Sequence, residues 1–445
     1  MLQRFLALAA AAPHAPALIE SDSGRVVSRQ ALLDRARAIG EQLAPMAEGD
    51  LLAVQLPNSA DFVATIVAAL ERKLVIVPID RDATETEVAA ILRQFNVWSG
   101  VGQPPLSIRV RKGAPPPAGL KDARLIKLTS GSTGQPKGIV TSEENLLADA
   151  MNICATMGIR PDDINFGAIP FSHSYGFSNL VTPLLVQGTA IVIANNYLPE
   201  SIIDLCNRHR VTVAPLIPMV FEHLTSASGR FESVRTFLSA GAPLAPSTSR
   251  KFRERFGSDI HSFYGCSECG GITYDRHGAA VERGSVGTAM EGVSLSLRQN
   301  RLVIQGQSVA LGYLHDAATF EPFAQRTFVA DDLARIDENG EVTLTGRASD
   351  LINTAGKKVN PREVEQIILQ IDGVRQAKVY GEPAGARGEV VAAAVVASPD
   401  VTREQVREHC RARLSSHKVP RIVKLIECIP LDERGKVKRA SLAML

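Results

Sequence analysis

One segment of the sequence, rich in glycine and hydroxyl side chains, reads Leu128-Thr129-Ser130-Gly131-Ser132-Thr133-Gly134-Gln135-Pro136-Lys137-Gly138. Glycines let a backbone adopt positive φ and approach a ligand closely, so successive amides can point at one anion. The hydroxyls add donors, and Lys137 supplies a mobile positive charge suited to phosphate. Residues 124–128 precede these hydroxyls and are typical of a strand. We therefore predict a phosphate-binding loop at the end of a strand.

A flexible Ser/Gly linker is the alternative interpretation of residues 128–138. Linkers rarely place Pro-Lys-Gly so close to a strand, which favours the phosphate loop. The segment lacks the G-x-x-x-x-G-K-[ST] spacing of the most familiar nucleotide-binding loop. The segment alone thus predicts an anion site without naming the nucleotide.

Length and composition indicate a soluble globular protein. The chain has 445 residues, enough for two or three domains, and its 45% hydrophobic and 22% charged residues are ordinary for this class. The net charge of +2 gives no general indication of binding to nucleic acid or membranes. Residues 347–445 are basic, with 18 Lys and Arg against 12 Asp and Glu. This part could face phosphates, an acidic partner or only solvent.

Cysteine usage and the N-terminus favour a cytoplasmic protein. Most of the six cysteines lie far apart, unlike those of a disulfide framework. Cys266 and Cys269 have the spacing of redox or zinc pairs, but no second pair completes a zinc site. Residues 1–12 are interpreted as an amphipathic helix rather than a signal peptide. No segment approaches the roughly 18 apolar residues of a membrane span.

Alternating strand-like and helix-like segments predict an α/β fold. Residues 29–43 carry apolar side chains at helical spacing with Ser28 as a candidate N-cap, and residues 51–56 read as a buried strand. The same rhythm resumes after the phosphate loop and predicts mostly parallel sheets covered by helices. Residues 101–120, rich in Pro and Gly, are predicted to form a loop or a poorly ordered connection.

Later in the chain, short strands with turns replace this pattern. Residues 327–330 and 333–337 are predicted as two separate strands. A smaller α+β unit follows Arg347, where the charge balance also changes. We therefore predict an N-terminal domain at residues 1–346 and a small C-terminal domain at residues 350–445.

Several polar segments that follow predicted strands could bind a ligand. Tyr264-Gly265-Cys266-Ser267-Glu268 offers a flat ring, a backbone open to close approach, and a carboxylate suited to Mg²⁺. His173 follows another strand, and Asp332 and Arg347 lie at strand ends, where they could bind ribose hydroxyls and phosphate. Each segment alone has an ordinary structural interpretation: an exposed turn, a histidine that only donates a hydrogen bond, or a surface salt bridge.

Taken together and in order, the segments are specific. They resemble the adenylate-forming superfamily of AMP-binding enzymes, which includes acyl-CoA synthetases, peptide-synthetase adenylation domains and luciferases. The resemblance implies a large N-terminal domain of layered sheets and helices, similar to acetyl-CoA synthetase, with a small mobile α+β C-terminal domain. The segments that carry it are residues 129–138, 171–176, 239–244, 264–268, 332–333, 346–347, 361–365 and 435–439.

The resemblance also implies roles for individual residues. The expected catalytic residues are Lys436, Glu268 and His173, with Glu268 also holding Mg²⁺. The residues expected to bind ATP are Thr129, Ser130, Ser132, Thr133, Lys137, Gly241, Ala242, Tyr264, Ser267, Asp332 and Arg347. The residues expected to line the substrate pocket are His173, Ser174, Phe177, Gly241, Gly265 and Cys266. Cys266 and Cys269 would then line the pocket rather than form a redox or metal pair.

The implied reaction joins a carboxylic acid to ATP, releases pyrophosphate, and passes the acyl group from the adenylate to a thiol. Two anions must meet, which explains the cations and amide donors. CoA is the expected thiol, and the phosphopantetheine of a carrier protein is the alternative. A non-catalytic nucleotide-binding protein is a third hypothesis from another class. Ser174 stands where amino-acid-activating relatives commonly carry Asp, so we expect a fatty or aromatic acid.

Two positions depart from the family pattern. The hinge position, usually Asp or Lys, is Ser349, and Asp350 follows it. Ser262 replaces the usual Asn or Gln that contacts adenine before Tyr264. Neither change removes an expected catalytic residue.

Overall fold

The computed structural model describes residues 1–21, 23–102, 106–110, 120–130, 136–194, 198–354, 357–383 and 389–430. The chain divides into two compact units. The first unit comprises Met1–Ser296, Val303–Phe328 and Asp337–Val342. The second comprises Leu297–Leu302, Val329–Ile336 and Thr343–Leu445. The single domain boundary at residues 346–350 stays a prediction.

Several helices begin at polar caps that the sequence indicates. Ser28 accepts a hydrogen bond from the Ala31 amide at 3.1 Å, as predicted for the helix that follows it. Ser142 and Thr84 each form a capping box, which satisfies amides that the first helical turn leaves unpaired. The α-helices of the described residues are α1 (Leu2–Ala11), α2 (Arg29–Gln42), α3 (Ala60–Glu71), α4 (Glu85–Gln94), α5 (Glu143–Met157), α6 (Ser174–Gly176), α7 (Thr182–Gln187), α8 (Pro199–Arg208), α9 (Pro218–Leu224), α10 (Pro246–Phe256), α11 (Pro361–Ile368) and α12 (Arg403–Arg411).

Strands account for most of the remaining regular structure. The strands of the described residues are β1 (Pro16–Glu20), β2 (Val26–Ser28), β3 (Leu51–Gln55), β4 (Val75–Pro78), β5 (Ser99–Gly102), β6 (Ser107–Arg109), β7 (Ala123–Ser130), β8 (Pro136–Ser142), β9 (Ile164–Gly167), β10 (Ala190–Ile193), β11 (Val213–Leu216), β12 (Thr236–Ser239), β13 (Ile260–Cys266), β14 (Gly270–Tyr274), β15 (Thr288–Ala289), β16 (Val293–Arg298), β17 (Arg301–Gly306), β18 (Gly312–Leu314), β19 (Phe320–Pro322), β20 (Thr327–Ile336), β21 (Val342–Arg347), β22 (Ile352–Thr354), β23 (Lys357–Val359), β24 (Val374–Pro383), β25 (Glu389–Ala397) and β26 (Ile422–Leu425). Both large sheets that they form lie in the first unit.

The nine-stranded sheet has the order β15-β14-β13-β12-β11-β9-β10-β1-β2. Its central strands run parallel, and only the strands toward its two edges pair antiparallel. Val213, Ala214 and Leu216 of β11 are buried, as expected for a parallel strand covered on both faces.

The eight-stranded sheet has the order β19-β18-β8-β7-β4-β3-β5-β6 and is less regular. Strands β5, β3, β4 and β7 run parallel, whereas β8, β18 and β19 continue the sheet antiparallel. The pairs Thr129↔Lys137 and Ser130↔Pro136 show that β7 and β8 form a hairpin. The two strands that flank the predicted phosphate loop therefore pair as a hairpin.

A layer of helices separates the two sheets in the hydrophobic core. The largest cluster of buried side chains includes Leu52 of β3 from one sheet, Ile191 of β10 from the other, and most of α3. Helix α3 is apolar around almost its whole circumference, as a helix enclosed by other elements requires. The mixed α/β architecture with layered sheets confirms the predicted fold class.

The second unit has its own small core. Strands β24, β25 and β26 form a three-stranded sheet, and β22 pairs with β23. Val364 of α11 and Val406 of α12 pack with Val391 of β25 in one buried cluster. This α+β arrangement agrees with the pattern predicted after Arg347.

Two local predictions need correction. Residues 327–330 and 333–337 form one strand, β20, because the polar pair Asp331 and Asp332 lies within the strand instead of interrupting it. Residues 101–120 are not a loop throughout, since β5 extends to Gly102 and pairs antiparallel with β6. The rest of that segment, at 103–105 and 111–119, lies outside the described residues.

Candidate active site

Lys137 lies at the start of β8, opposite Thr129 on β7. The hairpin register fixes both backbones, so the hydroxyl of Thr129 and the ammonium of Lys137 belong to the base of the predicted phosphate loop. Ser132 and Thr133 lie outside the described residues, and so does the side chain of Ser130. Only the base of this loop can therefore be assigned a position.

A tyrosine links Lys137 to Glu268. The Lys137 Nζ atom lies 5.1 Å from the centroid of the Tyr313 ring, within the range of a cation–π contact. The Tyr313 hydroxyl donates a hydrogen bond to Glu268 Oε1 at 2.8 Å. Burial and the nearby Glu268 carboxylate raise the pKa of Tyr313, so its hydroxyl stays protonated. The cation expected at phosphate and the carboxylate expected at Mg²⁺ are thus brought together.

Ser267 contacts the predicted substrate pocket and a buried lysine. Its hydroxyl lies 2.7 Å from the hydroxyl of Ser174, and its carbonyl oxygen accepts from Lys127 Nζ at 3.4 Å. Lys127 is only 6% exposed, which is rare for a lysine. A residue expected to bind ATP therefore directly contacts one expected to line the substrate pocket.

His173 pairs with an aspartate that the sequence analysis did not select. Its Nε2 atom lies 2.7 Å from Asp80 Oδ2, just after the end of β4. A carboxylate on one ring nitrogen fixes the orientation of the imidazole and leaves Nδ1 for another partner. The arrangement is that of a histidine whose ring is oriented by a carboxylate.

Three of the residues expected to bind ATP lie just after β12 or within the last three residues of β13. The parallel register pairs Ser239 with Ser262, so Gly241 and Tyr264 lie two residues further along at the same edge. Gly241 has a φ of +88°, a conformation that favours glycine, and both it and Ala242 are exposed. Ligands of open α/β sheets bind at this carboxyl edge of the strands.

Gly265 and Cys266 have structural roles in the hairpin of β13 and β14. A Cβ atom on Gly265 would lie 2.5 Å from the Gly270 carbonyl oxygen, so the close approach of the two strands requires glycine. A hydrogen bond with Cys269 and burial raise the pKa of the Cys266 thiol well above its ordinary value. A raised pKa keeps the Cys266 thiol protonated, and a protonated thiol is a poor nucleophile.

The floor of the predicted pocket is apolar. Phe177 is 2% exposed and packs in the largest core cluster, so it can support the pocket only from below. The neighbouring Tyr175 donates its hydroxyl to the Leu238 carbonyl at 3.2 Å, and its ring lies 5.9 Å from that of Phe263. These contacts connect α6 to the ends of β12 and β13.

In the second unit, Asp332 and Arg347 form an ion pair. Arg347 Nε donates to Asp332 Oδ1 at 3.2 Å, and the arginine side chain is 59% exposed. The adjacent Asp331 accepts hydrogen bonds from the amide and the hydroxyl of Ser349, the residue at the hinge position. Lys436 lies outside the described residues.

Glu268 can coordinate a metal ion only if a bound substrate supplies further ligands to the ion. Within the described part of the chain, no group of three or more His, Cys, Asp or Glu side chains is arranged to hold a metal ion. Mg²⁺ is commonly bound through one or two carboxylates plus substrate phosphates, so a single carboxylate beside a phosphate loop fits this ion.

Over the same described residues, no helix has the length and apolarity needed to span a membrane.

Sequence reasoning missed Tyr313, Asp80 and Lys127. Asp80 follows the parallel strand β4, and ligand contacts often arise at the carboxyl ends of such strands. Tyr313 lies in the middle of the short antiparallel strand β18 and carries no such signal. Lys127 carries a clearer signal, because a lysine inside an apolar strand needs a polar partner. Each of them contacts a residue that follows a strand of the other large sheet, and a single sequence does not show how two sheets meet.

Comparison with known proteins assigns the chain to a family. The family model described as "AMP-binding enzyme" matches residues 5–99 and 96–314, and the model described as "AMP-binding enzyme C-terminal domain" matches residues 363–436. A 2-succinylbenzoate–CoA ligase from Enterococcus faecalis is 27% identical over 341 residues, covering 73% of this chain and 70% of the ligase. A long-chain-fatty-acid–CoA ligase, FadD13, from Mycobacterium tuberculosis is 25% identical over 444 residues, covering 89% and 88%.

A solved structure supports the fold. ATP-bound MatB from Rhodopseudomonas palustris superimposes with a TM-score of 0.84 at 24% identity, covering 100% of this chain and 98% of that chain. The family models cover both the region of Lys137 and Glu268 and the C-terminal region. The chain belongs to the AMP-binding enzymes of the adenylate-forming superfamily.

Proposed function

We propose that the protein is an AMP-forming acid–CoA ligase. The observation that carries this proposal is the connection of Lys137 to Glu268 through Tyr313 at the base of the phosphate loop. The Lys137 ammonium can bind phosphate, and the Glu268 carboxylate can bind a metal ion. Two such groups close together suit a substrate whose phosphates carry a bound metal ion. ATP is such a substrate, and the family assignment supports it.

In the first step, a carboxylate oxygen of the acid attacks the α-phosphorus of ATP. A new P–O bond forms, the bond to the bridging oxygen breaks, and pyrophosphate leaves. Lys137 and the Thr129 hydroxyl would hold the departing phosphates, and Glu268 would hold Mg²⁺, which neutralises phosphate charge. Lys436 would approach the reacting carboxylate. These groups stabilise charge where it accumulates, which is the main catalytic contribution expected of such a site.

In the second step, the CoA thiol attacks the acyl carbonyl of the adenylate. The C–S bond forms, the mixed anhydride bond breaks, and AMP leaves while the thiol proton passes to a base or to water. His173, oriented by Asp80, would lie at the junction of the acid and thiol sites. We further propose that a small C-terminal domain at residues 350–445 moves between the steps and removes Lys436 after the first.

The adenine and ribose contacts complete the proposed ATP site. Gly241, Ala242 and Tyr264 would contact adenine, Asp332 would accept from the ribose hydroxyls, and Arg347 would bind ribose or phosphate. The exposure of Gly241 and Ala242 and of the Arg347 side chain supports access by a ligand.

We propose a fatty or aromatic acid as substrate. Ser174 hydrogen-bonds Ser267 and has no charge with which to hold an α-ammonium group, and the pocket floor is apolar. The names of the E. faecalis and M. tuberculosis relatives specify an aromatic and a long-chain acid, and both specify CoA. We therefore propose CoA rather than a carrier protein as the thiol. We propose the cytoplasm as the compartment, because it supplies ATP and CoA.

A panel of carboxylic acids tests this function. The protein is incubated with ATP, Mg²⁺ and each acid, and pyrophosphate release is measured with CoA, with a holo acyl carrier protein, or with neither thiol. We expect acyl-CoA and AMP in equal amounts from at least one fatty or aromatic acid. Product only on the carrier protein would reject CoA, and product only from amino acids would reject the substrate class.

A further inference from the structure

Tyr313 contacts two charged groups of the candidate site through different parts of its side chain. Its hydroxyl donates to Glu268, and its ring faces the Lys137 ammonium. Lys137 belongs to the eight-stranded sheet, whereas Glu268 follows β13 of the nine-stranded sheet. One side chain therefore joins the two sheets at the site.

The position of Tyr313 is fixed by its own surroundings. Strand β18 lies between β8 and β19, and the register pairs Tyr313 with Ile139 on one side and Glu321 on the other. The ring also packs edge-on against Phe323, with centroids 4.9 Å apart. A ring held by two strands and a T-shaped aromatic contact has few alternative rotamers, so its hydroxyl is directed at a constant point.

The hydrogen bond restrains Glu268 without neutralising it. A protonated phenol that donates to an ionised carboxylate forms a charge-assisted bond, stronger than one between neutral groups. The bond engages Oε1, so rotation of the carboxylate about its last torsion is restricted. The tyrosine ring meanwhile keeps the Lys137 ammonium on the same side of the site.

We propose that Tyr313 is a positioning residue that sets the separation of Glu268 and Lys137, so that the site meets Mg²⁺–ATP with both groups in place. This inference rests on the proposed function, because it assigns the two groups to the same substrate. The competing interpretation is that Tyr313 only fills space beside Phe323. The two interpretations differ in the hydroxyl, which packing does not need.

Two substitutions separate the hydroxyl from the ring. Tyr313→Phe removes only the hydroxyl, and Tyr313→Leu also removes the ring. Tyr274→Phe is the matched control, since Tyr274 is buried in the same unit and stacks on His261. ATP binding is measured by calorimetry over a series of Mg²⁺ concentrations, without acid or CoA, so the readout does not depend on turnover.

We expect Tyr313→Phe to raise the Mg²⁺ concentration for half-maximal ATP binding about 10-fold, the effect of losing a hydrogen bond to a charged group. Tyr274→Phe should leave it unchanged. Tyr313→Leu should in addition weaken ATP binding at saturating Mg²⁺, because Lys137 loses the ring. Thermal midpoints of all variants, measured without ligand, show whether each remains folded at the assay temperature.

A Glu268→Ala background tests whether the effect passes through Glu268. Adding Tyr313→Phe to Glu268→Ala should change the Mg²⁺ requirement less than about two-fold, because the bond has already lost its acceptor. An unchanged Mg²⁺ titration for Tyr313→Phe would overturn the inference, as would an equal loss in the Glu268→Ala background. Absence of ATP binding by the unmodified protein would instead reject the proposed function.

Discussion

Two acidic residues expected to bind ATP are held in different ways. Glu268 accepts from Tyr313, whose ring is fixed by flanking strands and by Phe323. Asp332 pairs with Arg347 at 3.2 Å, but that arginine side chain is 59% exposed. The Asp332 side chain is 17% exposed, but an ion pair whose arginine is so exposed contributes little to stability, about 0–1 kcal/mol. The first carboxylate is therefore positioned before the ligand arrives, whereas the second can exchange its partner for a ribose hydroxyl.

The largest effect is expected at the positioned carboxylate. Glu268→Gln keeps the size of the side chain and an acceptor for Tyr313 but removes the charge. We expect pyrophosphate exchange at saturating ATP to fall about 10²–10³-fold, as on loss of a preorganised electrostatic group. Glu338→Gln, in an exposed turn, is the control. Equal rates for Glu268→Gln and the control would mean that Glu268 is not part of the reacting site.

A buried ion pair elsewhere in the first unit is expected to contribute to the stability of the fold, unlike the pair of Asp332 and Arg347. The Asp163 side chain is 5% exposed and pairs with Arg235. Burial alone would raise the pKa of Asp163, but hydrogen bonds from Arg235, the Arg160 amide and Thr212 lower it overall. Because its folded pKa is lowered, the carboxylate stabilises the fold above its unfolded pKa of about 3.9 and ceases to do so as pH falls below it.

We therefore expect Asp163→Asn to lower the thermal midpoint at pH 7 by several degrees, while Asp332→Asn leaves it nearly unchanged. The thermal midpoint of the unmodified protein should fall below about pH 4, and this fall should be smaller in Asp163→Asn. Scanning calorimetry from pH 7 to pH 3 measures both. A midpoint that falls as much for Asp332→Asn as for Asp163→Asn would remove the distinction between a structural and an exchangeable pair.

Asp332 should instead affect ATP affinity. A neutral amide accepts hydrogen bonds from ribose hydroxyls less strongly than a carboxylate, so we expect Asp332→Asn to raise KM for ATP about 10-fold with little change in kcat. Steady-state kinetics at varied ATP concentration test this. Asp331→Asn is the neighbouring control and should leave KM for ATP unchanged. A fall in kcat without a change in KM would place Asp332 in the reacting site rather than in substrate binding.

The smallest effect is expected at the hinge position. Ser349 donates its amide and hydroxyl to Asp331, so Ser349→Ala removes one of two contacts with that carboxylate. We expect about a three-fold change in thioester formation and none in pyrophosphate exchange, because only the second step requires the proposed domain movement. Comparing the two half-reactions in the same variant provides the measurement. An equal change in pyrophosphate exchange and in thioester formation would show that Ser349 does not act on the domain movement between the two steps.

Much of the fold could be predicted from local signals. Helix α2 begins directly after the predicted cap Ser28, and β3 occupies residues 51–55 of the buried strand predicted at 51–56. Local signals failed at β20, where Asp331 and Asp332 suggested a break although the strand continues through them. Asp331 and Asp332 point to opposite faces of the strand and both stay partly exposed, so polarity alone did not mark an end.

The contacts of the site were harder to predict than its residues. Lys137, Glu268 and His173 were selected from the sequence, but their partners Tyr313 and Asp80 were not. Tyr313 lies 45 positions from Glu268, and Asp80 lies 93 positions from His173. Each pair joins a residue on or following a strand of the eight-stranded sheet to one that follows a strand of the nine-stranded sheet, so it forms only because the two sheets pack against the same layer of helices. The order of short motifs indicated which residues to examine, whereas the packing of the two sheets decided which groups meet.

The most direct test of the central claim follows an oxygen atom. The protein is supplied with ATP, Mg²⁺, CoA and an accepted acid labelled with ¹⁸O in its carboxylate, and AMP and pyrophosphate are analysed by mass spectrometry. Attack of the carboxylate on the α-phosphorus predicts one ¹⁸O atom in each AMP and none in pyrophosphate. ADP with labelled inorganic phosphate, or AMP without label, would contradict the account.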